Sequence, residues 1–186
     1  GTAVTGENGQ GPEVSARFLL NPNRSRMEGD ALFKMLRLVP RIAFVTRFKD
    51  HLLADVGLTI PQEIPLLSSY VSGGMTQLEM ATYRYIVVLP GADLPTSFFW
   101  SLASGSLCLV MDHDWESFAS CHFRPWEHYL PFASDGSNFE ERLDWARSNP
   151  QEAEAMAARA QATMAAIDHQ PYRDEANRRV IAALRA

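Results

Sequence analysis

Asp112, His113 and Asp114 stand in one run, with Glu116 two residues beyond. Carboxylates so spaced have a definite use, because their oxygens are hard ligands that hold a divalent cation against phosphate oxygens. The plainer use of the same residues is an Asp turn at a solvated strand end. A second set, Gly91, Asp93, Thr96 and Ser97, has the makeup of a loop opening into a helix, where unpaired amides and the helix dipole favour an anion such as phosphate. Asp93 or Thr96 would equally serve as the cap of that helix. Cys108, Cys121, His122 and His128 also carry ligand atoms, but they lack the paired spacing of a zinc site. No metal-ligand set is therefore assigned. Neither a G-x-S-x-G elbow, nor a G-x-x-x-x-G-K-[ST] loop, nor an H-E-x-x-H helix occurs.

The two loops matter only if the elements around them bring them to one edge. The apolar run in YRYIVVLPG reads as a strand closed by Pro90 and Gly91, and LCLVM at 107–111 reads as the next strand. Between them Pro95 suits a first helical turn, Phe98 and Leu102 stand four apart, and Gly105 suits the helix exit. About fifteen residues of connection suffice for a crossover helix, and strands apolar on both faces suit a parallel sheet. The fold class is therefore α/β. Ligands of such sheets sit beyond the carboxyl ends of the strands, which selects both loops.

The remaining chain is read the same way. Residues 16–20 and 41–45 read as short buried strands with helical spacing at 29–39 between them, a β-α-β unit. The stretch after Asp55 carries Pro61, Pro65 and the Gly73–Gly74 pair and reads as a long surface connection. Helical spacing resumes at 75–84, where Leu78, Ala81 and Thr82 fall near one face, and 128–133 is a further strand. SNFE at 137–140 and NPQE at 149–152 each pair a cap residue with Glu at the third helical position, predicting two helices. In the second, Met156, Ala160, Met164 and Ile167 form a stripe whose role is core packing. The expectation is one domain over 1–186, with 1–15 a loop or tail and 150–186 C-terminal helices.

Composition narrows the partners. The 186 residues are 46% apolar and 21% charged, an ordinary globular profile, with a net charge of −5 that offers no basic surplus to phosphate backbones. Nucleic acid is not an expected partner. Two cysteines make no disulfide framework and fit a reducing compartment. No apolar run has the length of a transmembrane segment, and GTAVTGENGQGPE lacks the apolar centre of a signal peptide.

Two resemblances add to this reading. Asp-His-Asp after an apolar strand resembles the D-x-D metal motif of GT-A glycosyltransferases, in which Asp112 and Asp114 would hold a cation against a nucleotide diphosphate. Far more of the chain resembles the C-terminal half of glycosyltransferase family 90, which includes protein O-glucosyltransferases, capsule xylosyltransferases and lipopolysaccharide-modifying enzymes. YRYIVVLPG resembles the family's Y-K-Y strand and following Gly, SLASGS its L-x-S-G-S turn, and RPWEHYLPF its P-W-x-H-Y-x-P segment. ADVGLT at 54–59 and the helical FEERLDWARSNPQEAEAMAARAQ fall in order with that pattern, and GTAVTG resembles the segment just after the family's aromatic-Arg-Gly motif.

The resemblance to family 90 implies a GT-B enzyme: two Rossmann-like domains, of which this chain would be the C-terminal, donor-binding half, a Rossmann-like parallel sheet with flanking helices. It implies an inverting transfer from a nucleotide sugar, usually UDP-linked, to a glycan, lipopolysaccharide or protein hydroxyl. No cofactor or essential metal is needed, the donor being a substrate. By match to the family pattern, Thr5, Gly6 and Arg17 fall on the phosphate-side loop, and Gly91, Asp93, Thr96 and Ser97 on the donor loop, with Arg17 as the charged clamp. Many members carry arginine where this chain has Ser97. The family's candidate base belongs to an N-terminal domain expected upstream of Gly1, so no catalytic residue is assigned, and a degenerate donor-binding module is the alternative. DHDWES resembles an acid-rich approach to an aromatic helix, with Trp115 packed and the acids solvated; His128 beside Trp126 reads as a core residue. The expected location is cytoplasmic, peripheral to the inner membrane, or a secretory lumen in a eukaryote.

Overall fold

Three short apolar segments set the architecture of the computed structural model, which describes residues 33–34, 37–59, 65–91, 94–95, 97–117 and 119–184. Tyr85–Val88 (β1), Leu107–Met111 (β2) and Leu130–Phe132 (β3) form a sheet in that order, parallel at both junctions. All five residues of β2 are buried, as a central strand covered on both faces must be. Val88 pairs with Val110 and Met111 with Phe132, so the three strands end at one common edge. The chain is α/β, a three-stranded parallel sheet flanked by helices, consistent with a Rossmann-like fold.

Ser97–Ala103 (α3) is the expected crossover between β1 and β2. Gly105 follows it at φ +87°, a conformation that L side chains rarely adopt, and so turns the chain into β2. Phe98 and Leu102 from α3 pack with Ile86, Val88, Cys108 and Val110 on one face of the sheet. On the other face Leu107, Leu109, Met111, Leu130 and Phe132 meet Phe44 and Phe48 of the helix Pro40–Phe48 (α1) and Phe139 of the helix Phe139–Ser148 (α4). Each of these buried side chains contributes about 1.5–3 kcal/mol by leaving water. The helix Pro150–Asp168 (α5) serves both faces: Met156 enters the second core and Ala160, Met164 and Ile167 the first, which is the packing role expected of that stripe. The helix Gln170–Leu184 (α6) follows it.

Several expectations need correction. Residues 41–45 are not a strand: they lie inside α1, which begins with Pro40 at its first turn and buries Ile42, Phe44, Val45 and Phe48 along one side. The β-α-β unit built on them therefore falls; its other strand, 16–20, lies outside the described residues, and within 29–39 only Phe33 and Lys34 are described as helical. The connection after Asp55 is not all surface, since Leu58 and Leu67 are buried and a 3-10 turn spans Pro65–Tyr70. The capping boxes at 137–140 and 149–152 do not form. Asn138 Oδ1 instead accepts from the Ala133 amide, and Asn149 Nδ2 donates to the Trp145 carbonyl. A complete box does occur at the short helix Gln77–Met80 (α2), where Thr76 and Glu79 bond reciprocally. Leu78 on that helix is exposed rather than packed. Among the described residues, no helix is long and apolar enough to cross a membrane.

Candidate functional site

The carboxyl edge of the sheet collects the loops that the sequence singled out. β1 leaves through Leu89, Pro90 and Gly91, and β2 through Asp112, beside it because the two strands pair in parallel register. The β1 exit then rises into α3, whose first residue is Ser97; Gly91 and Ser97 are both half-buried. The Pro95 carbonyl accepts from the Phe98 amide at 2.8 Å at the start of the helix. Thr5, Gly6, Arg17, Asp93 and Thr96 lie outside the described residues. The structure thus brings Gly91 and Ser97 to the two ends of one edge connection.

At the β2 exit the Asp112 amide donates to the Phe132 carbonyl at 2.8 Å, extending the ladder by one bond. Partial burial holds the Asp112 carboxyl above its usual value, against the opposing pull of His113 and Arg142. Burial lowers His113, against the pull of Asp112 and Asp114. His113 Nδ1 accepts from the Trp115 amide at 3.2 Å, which leaves the proton of the neutral ring on Nε2. Asp112, Asp114 and Glu116 are exposed, as the sequence implied, and Trp115 is half-buried. Among the described residues, no three His, Cys, Asp or Glu side chains converge as a metal-binding group. Cys108 is sealed in β2, where burial pushes its thiol up to about 12, so it is no ligand for the zinc set. His128 is a core residue: its Nδ1 accepts from the Arg124 amide at 3.0 Å and its Nε2 faces Thr163 Oγ1 at 3.2 Å. Trp126, at φ +65°, stacks edge-on with Trp145 and under the Arg142 guanidinium beside the start of β3.

One residue at this edge escaped the sequence reading. Arg41, the second residue of α1, sends Nη2 to the Leu89 carbonyl at 3.1 Å, two residues before Gly91. Burial lowers its pKa. Its signal was Pro40, a helix-starting proline that would have placed Arg41 in a first turn instead of a strand. A groove of about 330 Å³ lies elsewhere, at the amino-terminal edge, lined by Tyr85, Leu107, Gly105, Arg84 and Glu154 among others. The carboxyl edge is preferred because loops and helix starts converge there in parallel sheets.

Comparison with known proteins identifies a family. The family model of glycosyl transferase family 90 matches residues 68–167, which include β1, α3, β2, β3 and α4. The O-glucosyltransferase LpsA of Dichelobacter nodosus is 31% identical over 125 residues, 67% of this chain and 39% of that protein. Protein O-glucosyltransferase 1 of Mus musculus is 29% identical over 82 residues, 44% of this chain and 21% of that protein. The match thus spans about two fifths of the bacterial relative and a fifth of the mouse one.

Proposed function

Because the chain belongs to glycosyl transferase family 90, we propose that its carboxyl edge holds the diphosphate of a nucleotide-sugar donor for transfer to a hydroxyl. The donor is a UDP-linked sugar, with glucose favoured by the names of the relatives, and the acceptor a glycan, lipopolysaccharide or protein hydroxyl. In the transfer, the acceptor oxygen bonds to the anomeric carbon with inversion as the bond to the diphosphate breaks, and the hydroxyl proton passes to a base. Stabilising the departing diphosphate is the share of this work that the described residues are equipped for. The chain then acts as the donor half of a GT-B enzyme that needs no metal and works in the cytoplasm.

The observation that carries the reading is the shared exit of β1 and β2, which sets the Gly91–Ser97 connection and Arg41 at one edge. It is tested by thermal-shift and calorimetric titration with UDP, UDP-glucose, other nucleotide diphosphates and uridine. Diphosphates are expected to stabilise the fold, by about 2.7 kcal/mol at a concentration a hundredfold above Kd, and EDTA is expected to leave that shift unchanged. A chain that no nucleotide stabilises overturns the reading. Loss of the shift in EDTA would transfer it to Asp112 and Asp114 and a bound cation.

A further inference from the structure

We propose that Arg41 is the cation that receives the phosphate oxygens at the carboxyl edge. The proposal rests on the donor reading above and names the residue that gives the site its charge. Arg41 is half-buried, and its Nη2 is pinned by the Leu89 carbonyl at 3.1 Å, so the guanidinium stands beside the β1 exit that runs into Gly91. Among the described residues it makes no ion pair, whereas Arg84, Arg124, Arg142, Arg147 and Arg159 each lie within 4.0 Å of a carboxylate. A cation taken partly out of water without a counter-ion is costly.

Its position adds a second cost. Arg41 occupies the first turn of α1, at the positive end of the helix dipole, and that turn holds no acidic residue and no side-chain cap. One hydrogen bond to a carbonyl does not explain a charge so placed. An anion at the edge would, because the guanidinium keeps donors beyond the one spent on Leu89, and they suit the oxygens of a diphosphate. Ser97, at the other end of the edge connection, brings a hydroxyl and no charge.

The test titrates the whole chain with inorganic pyrophosphate, UDP and uridine, as wild type and as Arg41→Gln, with Arg84→Gln at the opposite edge as the control for lost charge. Arg41→Gln is expected to weaken pyrophosphate and UDP by about 10- to 100-fold, leaving uridine unchanged, while Arg84→Gln changes none of them. Equal affinities in wild type and Arg41→Gln overturn the proposal but leave the donor reading standing. Wild type that takes pyrophosphate but not UDP, and loses it in Arg41→Gln, removes the donor reading and keeps Arg41 as an anion site. Wild type that takes neither removes both. Should Arg41→Gln fail to fold, phenylglyoxal modification of the wild type followed by peptide mass analysis decides. Protection of Arg41, but not Arg84, by pyrophosphate supports the proposal, and equal labelling overturns it.

Discussion

Asp112 shows how one residue reports its surroundings. Partial burial raises its carboxyl above the usual value, so the folded chain holds that proton more tightly than the unfolded chain. Folding thus disfavours the charged form, and stability attributable to this group is full below the unfolded pKa and lost as pH rises through the folded one. Asp112→Asn is therefore expected to stabilise the fold at pH 7, with the gain shrinking as pH falls and the wild-type acid protonates; urea unfolding of both proteins across pH 3–7 reads it. A variant less stable at pH 7 would mean that Asp112 makes a charged contact that outweighs its desolvation. The acids of this loop were legible as solvated because alternating acids after a buried strand leave little else for them to do. Arg41 was not legible, since its meaning depends on a carbonyl 48 positions away, and no local pattern records such a contact.

Among the elements, the segments that the sequence specified well were those whose signals agreed. β1, α3 and β2 carry an apolar run, a helix-opening proline, an i,i+4 pair and an exit glycine in order, and each occupies its expected place. Residues 41–45 carried only a short apolar run, which strands and buried helices share, and tertiary packing of Phe44 and Phe48 on the sheet face settled it as α1. The capping boxes failed on local detail: the first helix starts one residue later than Ser137 would cap, after Asn138, whose Oδ1 serves Ala133, and Asn149 Nδ2 is taken by the Trp145 carbonyl. Gly105 is the sharper test of an element boundary. A Cβ there would meet only Gln161 Nε2, at an ordinary 3.5 Å, so its backbone at φ +87° is what demands glycine. Gly105→Ala is expected to cost about 1–2 kcal/mol in urea unfolding through the left-handed backbone alone. A neutral result would show that the α3 to β2 turn relaxes into another conformation.

The whole molecule has a polarity set by its parallel sheet. Parallel strands send every carboxyl end one way, and the five residues of β2 separate the two edges by about 16 Å. The 330 Å³ groove sits at the amino-terminal edge, where Ala81, Ser104, Ala157 and the Arg84–Glu154 pair line it, while Gly91, Ser97 and Arg41 lie at the carboxyl edge. Substitutions that far apart act independently, so the two edges can be challenged separately. Ala81→Trp places an indole in the groove and is expected to keep UDP affinity within about twofold. Gly91→Leu, which puts a branched side chain on the β1 exit, is expected to abolish UDP binding while the far-UV spectrum stays native. The reverse pattern, with the tryptophan blocking UDP and the leucine tolerated, would move the donor to the amino-terminal groove. Arg41 would then be a cation with no anion to meet, and the carboxyl edge only the place where the strands end.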